Sequence, residues 1–304
     1  MSKIVSVIIP TYGANTDPVR AVESVLNQDY PDVQAIVVDD NGEGTEQQLL
    51  NAKKFEEFSS EERVLYCVHK VNKGGSAARN TGVKASSGEY LCFLDDDDAF
   101  TDASKISRQM KVAIELDQNW AGTYSSCDIY RGSEYVRSIK PSKSGRILKE
   151  YMTEKIRIET ASPIISRDAY DRVHGFNESF VRHQDWEFFS RVLDQYSIMA
   201  VPEATYSRYY KLNIPAKKAE TRLEYMNRYA DSMRKEITSL KPKALNKVLK
   251  KKYIPIVFVL LKGKKIKLAK KVMKDNSFNI CDYLSVLSGA IKYMIKRIRY
   301  GTHF

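Results

Sequence analysis

Four aspartates in a row, Asp95, Asp96, Asp97 and Asp98, follow directly on the apolar run YLCFL (90–94). Carboxylates this close repel one another unless a cation or hydrogen-bond donors offset the charge. Hard oxygen ligands suit Mg²⁺ or Mn²⁺, which take one or two protein carboxylates and leave their other positions to water and substrate phosphates. Two further apolar runs end in polar residues: SVIIP (6–10) leads from Pro10 into Thr11 and Tyr12, and VQAIVV (33–38) leads into Asp39, Asp40 and Asn41. The segment NKGGSAARNTG (72–82) combines paired glycines with Lys73 and Arg79. Small residues let a backbone approach a ligand, and an arginine can pair with phosphate oxygens. The segment has neither the GK[ST] of a P-loop nor a GxGxxG turn, and alone it reads as an ordinary loop and helix. The acidic run, taken alone, likewise reads as a solvated turn capping the next helix.

What reverses that preference is the placing of these residues. SVIIP, VQAIVV, RVLYCV (63–68) and YLCFL have the β-branched, continuously apolar character of strands buried in a parallel sheet. Between the first two, Asp17 and Pro18 have the form of an N-cap followed by proline at the first helical position. Ala21, Val22, Val25 and Leu26 supply the apolar stripe behind them. Thr45 and Gln48 have capping-box spacing ahead of a segment ending near Phe58. A strand-helix repeat of this kind predicts an open α/β sheet with right-handed crossovers. Ligands of such sheets bind beyond the carboxyl ends of the strands, so Pro10 to Tyr12, Asp39 to Asn41 and Asp95 to Asp98 should meet at one crevice. From 101 to 210 the pattern is mixed; a helix is expected from Asp102 to about Asp117, and the order of the strands is not readable.

The chain has 304 residues, 43% hydrophobic and 29% charged, which is globular and excludes wholesale disorder. Its net charge of +11 conceals an asymmetry: residues 211–304 carry 24 Lys and Arg against 6 Asp and Glu, whereas the first 210 residues sum to −7. An acidic body therefore precedes a basic, helically patterned tail. Cys67, Cys92, Cys127 and Cys281 form no CxxC pair and read as reduced core residues. Met1 runs almost at once into SVIIP without a leader-like pattern, so a cytoplasmic location is expected.

Taken together, SVIIPTYG, VVDDNGEG, NKGGSAARNTGVKASSGEYLCFLDDDD, GFNESF and HQDWEFFSRV resemble the family-two glycosyltransferases of the GT-A fold, over about residues 3 to 195. The resemblance implies an α/β fold: a GT-A (Rossmann-like) open mixed sheet with flanking helices, here with a basic helical C-terminal extension. The expected division is a nucleotide-sugar half (1–100), an acceptor half (101–210) and, beyond the reach of the resemblance, the basic helical extension (211–304). The resemblance implies a metal-dependent enzyme that moves a sugar, with inversion, from a nucleoside diphosphate sugar, UDP being favoured, to a hydroxyl of a saccharide acceptor. By position, Pro10 and Tyr12 would frame the base and Asp40 would hydrogen-bond the uracil. Arg79 would contact the nucleotide or diphosphate. Asp97 would hold Mn²⁺ or Mg²⁺, with Asp95 a second ligand or a ribose contact and Asp96 in the variable position of the motif. The general base falls on Asp185. Gln184 stands where the family commonly has Glu. Structurally, QDWEFF is also simply a helix start with an anion favoured near its N-terminus, and His183 reads by default as a surface or hydrogen-bonding residue.

Nucleotidyl transfer also uses carboxylates and Mg²⁺ on an α/β sheet, but this chain has Pro10-Thr11-Tyr12 where that chemistry needs a Gly-rich, Lys-bearing loop. A nucleic-acid-binding reading of the basic tail is opposed by the acidic body and the lack of a stacking motif. The tail instead predicts peripheral attachment to an anionic membrane on the cytoplasmic face. YIPIVFVLL (253–261) is too short to span a bilayer. Ile291, Met294, Ile295 and Ile298 share one helical face while Lys292, Lys296 and Arg299 fall elsewhere. Membrane attachment would suit a lipid-linked acceptor in bacterial surface polysaccharide synthesis, an implication of the same resemblance.

Overall fold

The computed structural model describes residues 3–14, 16–210 and 219–288. The chain divides into two compact units, Met1–Ile214 and Pro215–Phe304.

Unit 1 opens with the expected strand-helix repeat: β1 (Val5–Thr11), α1 (Pro18–Leu26), β2 (Val33–Asp39), α2 (Glu46–Phe55), β3 (Val64–Val68), α3 (Gly75–Ala85) and β4 (Tyr90–Phe93). β1 pairs in parallel with both β2 and β4, and β2 with β3. Alternate side chains of β1 leave by opposite faces, and both faces are covered, which is why the run is apolar throughout rather than every second residue. Val5, Val7 and Ile9 pack in a core with Ala21, Val22 and Val25 of α1, each large side chain contributing roughly 1.5–3 kcal/mol on burial. Ile8 faces α3, which approaches so closely that a Cβ on Gly82 would lie 2.4 Å from Ile8 Cγ2. Asp17 caps α1 by accepting from Arg20 N. Thr45 caps α2 by accepting from Gln48 N, but Gln48 Oε1 returns to Gly44 N–H (3.0 Å), one residue short of a reciprocal box.

The second half of unit 1 comprises α4 (Lys105–Ala113), β5 (Trp120–Arg131), β6 (Glu134–Ile139), α5 (Leu148–Met152), β7 (Pro163–Ser166), α6 (Arg167–Arg172), α7 (Gln184–Gln195) and β8 (Ser197–Tyr210). Among the described residues the strands form one mixed sheet in the order β3-β2-β1-β4-β7-β5-β6, with β8 parallel to β5. β7 pairs antiparallel with β4 and β5, and so joins the parallel half to the rest. α4 is shorter than the expected 102–117 helix. The Asp102 carboxylate accepts from Ser104 N and Oγ (3.0 and 2.7 Å), which closes a turn where a helix would need those residues extended into its first coil.

Unit 2 is helical over its described residues: α8 (Ala219–Glu236), α9 (Pro242–Lys262) and α10 (Ile266–Asp275), with 280–288 also helical. The apolar run 253–261 lies within α9, where Tyr253, Ile256, Val257 and Leu260 are buried against neighbouring helices. No helix among the described residues is long and apolar enough to cross a membrane. The predicted amphipathic face Ile291 to Ile298, with Lys292, Lys296 and Arg299, lies outside the described residues. All four cysteines are free thiols. Cys92 and Cys127 are core residues and Cys67 is half-buried, but Cys281 is exposed, because its helix turns that position to solvent.

Candidate active site

The carboxyl ends of β1, β2 and β4 meet at a cavity of 540 Å³. Pro10, Tyr12, Asp40, Arg79, Asp95, Asp96 and Asp97 all line it, together with Gln184, Glu178 and Phe180 from the chain leading into α7. Asp185 is not on this wall, although its neighbour Gln184 is.

The four aspartates do not act alike. Asp98 N donates to Asp95 O (3.0 Å), closing a turn directly beyond β4. That turn brings ligand oxygens of Asp95, Asp97 and Asp98 within 4.8 Å of one another. Asp96 points elsewhere: its Oδ2 accepts from Tyr12 N (3.4 Å) and its carbonyl accepts from Asp17 N (3.2 Å), so it ties the β4 tip to the β1 loop. Asp96, expected among the ligand contacts, lines the cavity while making these two bonds, and Asp98, not singled out as a ligand from the sequence, lies in the same acidic cluster as Asp95 and Asp97. Asp98 is buried and accepts from Tyr209 N at 3.0 Å. Burial, then the neighbouring Asp95, hold its carboxyl well above the usual carboxylate range. From behind, Arg20 donates to Asp97 O (2.6 Å) and fixes the turn. A hard divalent cation suits three oxygen donors crowded in this way, because it removes the repulsion that proximity creates.

Asp40 is held by four donors. Its Oδ1 accepts from His69 Nδ1 and Lys73 N (both 2.7 Å), and its Oδ2 accepts from Gly74 N (2.7 Å) and Asn72 Nδ2 (3.1 Å). These four bonds occupy about as many acceptor positions as a carboxylate offers, and Asp40 lines the cavity while making them. His69 is buried with its other nitrogen at Thr81 Oγ1 (2.9 Å), which links β3's end to α3. Asp40 therefore anchors the glycine loop. Gly74, with φ of +87°, makes the bend that an L side chain resists and starts α3 facing the cavity.

Arg79, from the first turns of α3, bridges two walls. It donates through NH2 to Asp95 Oδ1 (2.6 Å) and through NH1 to Gln184 Oε1 (2.9 Å). Gln184 Nε2 in turn donates to Phe180 O (2.9 Å). The amide thus serves as a neutral acceptor for the guanidinium and holds the 180–184 segment. Tyr12 is 63% exposed at the rim, an aromatic face open to a ligand.

Asp185 lies in the first turn of α7, which follows His183 in the left-handed conformation (φ 61°). Its backbone carbonyl accepts from Tyr151 OH (3.4 Å). The helix is fixed by Arg191, which pairs with Glu187 (2.6 Å) and donates to Gly175 O (2.8 Å) in the interior. Burial raises the Asp185 carboxyl above its ordinary range; the Trp186 N–H and Arg79 oppose the rise, while Glu159 and Asp95 add to it. Glu159 is buried and paired with Arg157 (2.9 Å) and Arg208. Asp98 of the acidic cluster, and His69 and Glu159, which act on Asp40 and Asp185, were not singled out from the sequence. Asp98 was visible within the acidic run, whereas His69 and Glu159 carry no local signal.

Residues 6–173 match the glycosyl transferase family 2. The chain belongs to that family. Among its relatives, an uncharacterized glycosyltransferase of Haemophilus influenzae is 25% identical over 230 residues, covering 74% of this chain and 87% of that one. The UDP-Glc:alpha-D-GlcNAc-diphosphoundecaprenol beta-1,3-glucosyltransferase WfgD of Escherichia coli is 27% identical over 200 residues, 65% of this chain and 73% of its own. An uncharacterized glycosyltransferase of Rickettsia bellii reaches 37% identity over 145 residues, 47% of this chain, but the match spans only 20% of that protein. Among solved structures, the mannosyltransferase PcManGT of Pyrobaculum calidifontis, in complex with GDP-Man and Mn²⁺, superimposes with a TM-score of 0.58 at 15% identity over 98% of this chain and 83% of its own. TarS of S. aureus, in complex with UDP, gives 0.54 at 18% identity over 81% and 69%. At these identities the two structures establish the GT-A fold, a mixed sheet flanked by helices, for this family member.

Proposed function

We propose that this chain is an inverting glycosyltransferase that takes a sugar from a nucleoside diphosphate donor, UDP-linked first among the candidates, and places it on a hydroxyl of a saccharide in surface polysaccharide synthesis. The observation that carries the reading is the 540 Å³ cavity, where an exposed aromatic, an arginine and a three-carboxylate turn converge beyond parallel strand ends. The nucleoside lies against Pro10 and Tyr12, and the base is read there by stacking rather than by Asp40. Asp97 and Asp95, joined by Asp98, are the residues that would hold Mn²⁺ or Mg²⁺. When bound, such a cation neutralises charge on a departing diphosphate. Arg79, already turned to Asp95, supplies a fixed positive charge beside the same phosphates.

Asp185 is the proposed general base. As the acceptor oxygen bonds to the anomeric carbon and the bond to the diphosphate breaks, the hydroxyl proton passes to the Asp185 carboxylate. A base whose proton affinity is raised by burial is better suited to that transfer than an ordinary aspartate. The rigid α7 start, locked by Arg191 and Glu187, keeps it in place.

The lipid-linked acceptor and the membrane form a second part of the proposal. Ile280, Tyr283, Leu284 and Leu287 are exposed at i, i+3, i+4 and i+7 of the 280–288 helix, an uncovered apolar stripe in a strongly basic unit. That combination supports peripheral attachment to an anionic bilayer on the cytoplasmic side. Thermal stabilisation by UDP with Mn²⁺, compared with single-stranded nucleic acid, tests the first part; stabilisation by nucleic acid alone contradicts it. Sedimentation with anionic vesicles tests the second. Full-length protein that stays in the supernatant at low salt removes the membrane from the account.

A further inference from the structure

Unit 2 has a cavity of its own, formed entirely by residues 234–279 and 600 Å³ in volume. α9 packs against both α8 and α10. The end of α8, the first turns of α9 and the turn 276–279 make the walls. Lys243, Lys247 and Lys250 stand at i, i+4 and i+7 of α9, so they form one stripe along the cavity. Arg234 faces them from α8, and Asp275 also lines the wall.

The four cations fall into two kinds. Lys250 is fixed, 2.7 Å from Asp282 Oδ2, and also donates to Ser277 O (3.3 Å). Arg234 is fixed by Asp231 (2.9 Å) and by a bond from its Nε to Asn246 Oδ1 (3.2 Å). Lys243 and Lys247 are exposed and have no acidic partner among the described residues. They repel each other across one helical turn. The pinned pair shapes the cavity, and the other pair leaves positive charge in it that an anion would offset.

We propose that this cavity binds a phosphate or diphosphate group, carried either by a soluble molecule or by a lipid head. A tetrahedral, multiply charged anion accepts from several directions at once, and here cationic side chains line one cavity from two helices, α8 and α9. A flat carboxylate uses fewer of them. The site is separate from the donor cavity, shares none of its residues, and does not depend on the transferase reading.

The test uses full-length protein in EDTA at low salt, with radiolabelled inorganic pyrophosphate in equilibrium dialysis. Lys243→Gln combined with Lys247→Gln should weaken pyrophosphate binding about tenfold or more while Mn²⁺-dependent donor hydrolysis stays as in wild type. Both positions are exposed and glutamine is a good helix former, so the fold is retained; Lys247→Glu alone should weaken binding in the same direction. Vesicles of phosphatidic acid and of phosphatidylglycerol, matched in surface charge, separate the sources. A preference for phosphatidic acid that the double variant loses identifies a lipid phosphate. No preference, with pyrophosphate binding intact, identifies a soluble one. Pyrophosphate binding that is absent in wild type, or equal in wild type and double variant, overturns the proposal.

Discussion

The strand tips of unit 1 and the helical cavity of unit 2 both gather charge, but they hold it in different ways. Around the 540 Å³ cavity several charged groups are clamped by backbone donors or buried partners: Asp40 by four, Asp96 by the β1 loop, Arg79 by two walls. Along α9 two lysines lie in solvent with no acidic partner among the described residues. Fixed charge in a partly buried site acts strongly and resists salt, whereas exposed charge is weak and screened. Substitutions in unit 1 should therefore change chemistry or folding by large factors, and those in unit 2 should act modestly and depend on ionic strength.

The largest effect is expected at Asp97. Asp97→Asn should lower turnover by about a thousandfold or more without unfolding the protein, as read by donor hydrolysis and circular dichroism. Asp185→Asn should lower kcat by about 10²–10⁴-fold with unchanged UDP affinity; a parallel loss of affinity would mark the residue as structural. The pH profile sharpens the same assignment. The base works deprotonated and burial raises its pKa, so activity should rise with pH through an acid limb lying above the ordinary aspartate range.

Asp40 separates two readings of one residue. As the anchor of the glycine loop, Asp40→Asn should cost about 1–3 kcal/mol of stability in denaturant unfolding, weaken donor binding, and leave the preference for UDP over ADP unchanged. A changed base preference in a protein of normal stability would restore direct uracil recognition. Gly82→Ala should cost about 1–3 kcal/mol through the 2.4 Å approach to Ile8 Cγ2, with little change in the chemistry of the remaining folded enzyme. The smallest effect belongs to unit 2, where Lys243→Gln should shift stability by less than about 0.5 kcal/mol.

How much could be read beforehand follows the same division. The parallel half was legible because burial on both faces leaves an unbroken apolar run, and the polar residues ending each run had to meet at one edge. The division of labour among four identical aspartates was not, because it depends on the turn closed by Asp98 N and Asp95 O. Nor was the saturation of Asp40, whose donors come from residues 69–74, some thirty positions away in sequence. The start of α4 was misplaced because Asp102 caps a turn rather than entering the helix. Cys281 was misassigned to the core because an apolar neighbourhood in sequence does not say which side of a helix faces out.

The central claim is that the β4 turn makes nucleotide binding depend on a divalent cation. Calorimetric titration of UDP into wild type and Asp97→Asn, each in Mn²⁺ and in EDTA, tests it directly. Binding to wild type should be tight in Mn²⁺ and at least about tenfold weaker in EDTA, and Asp97→Asn should bind equally weakly in both. Equal UDP affinity of the wild type with and without the cation would contradict the account.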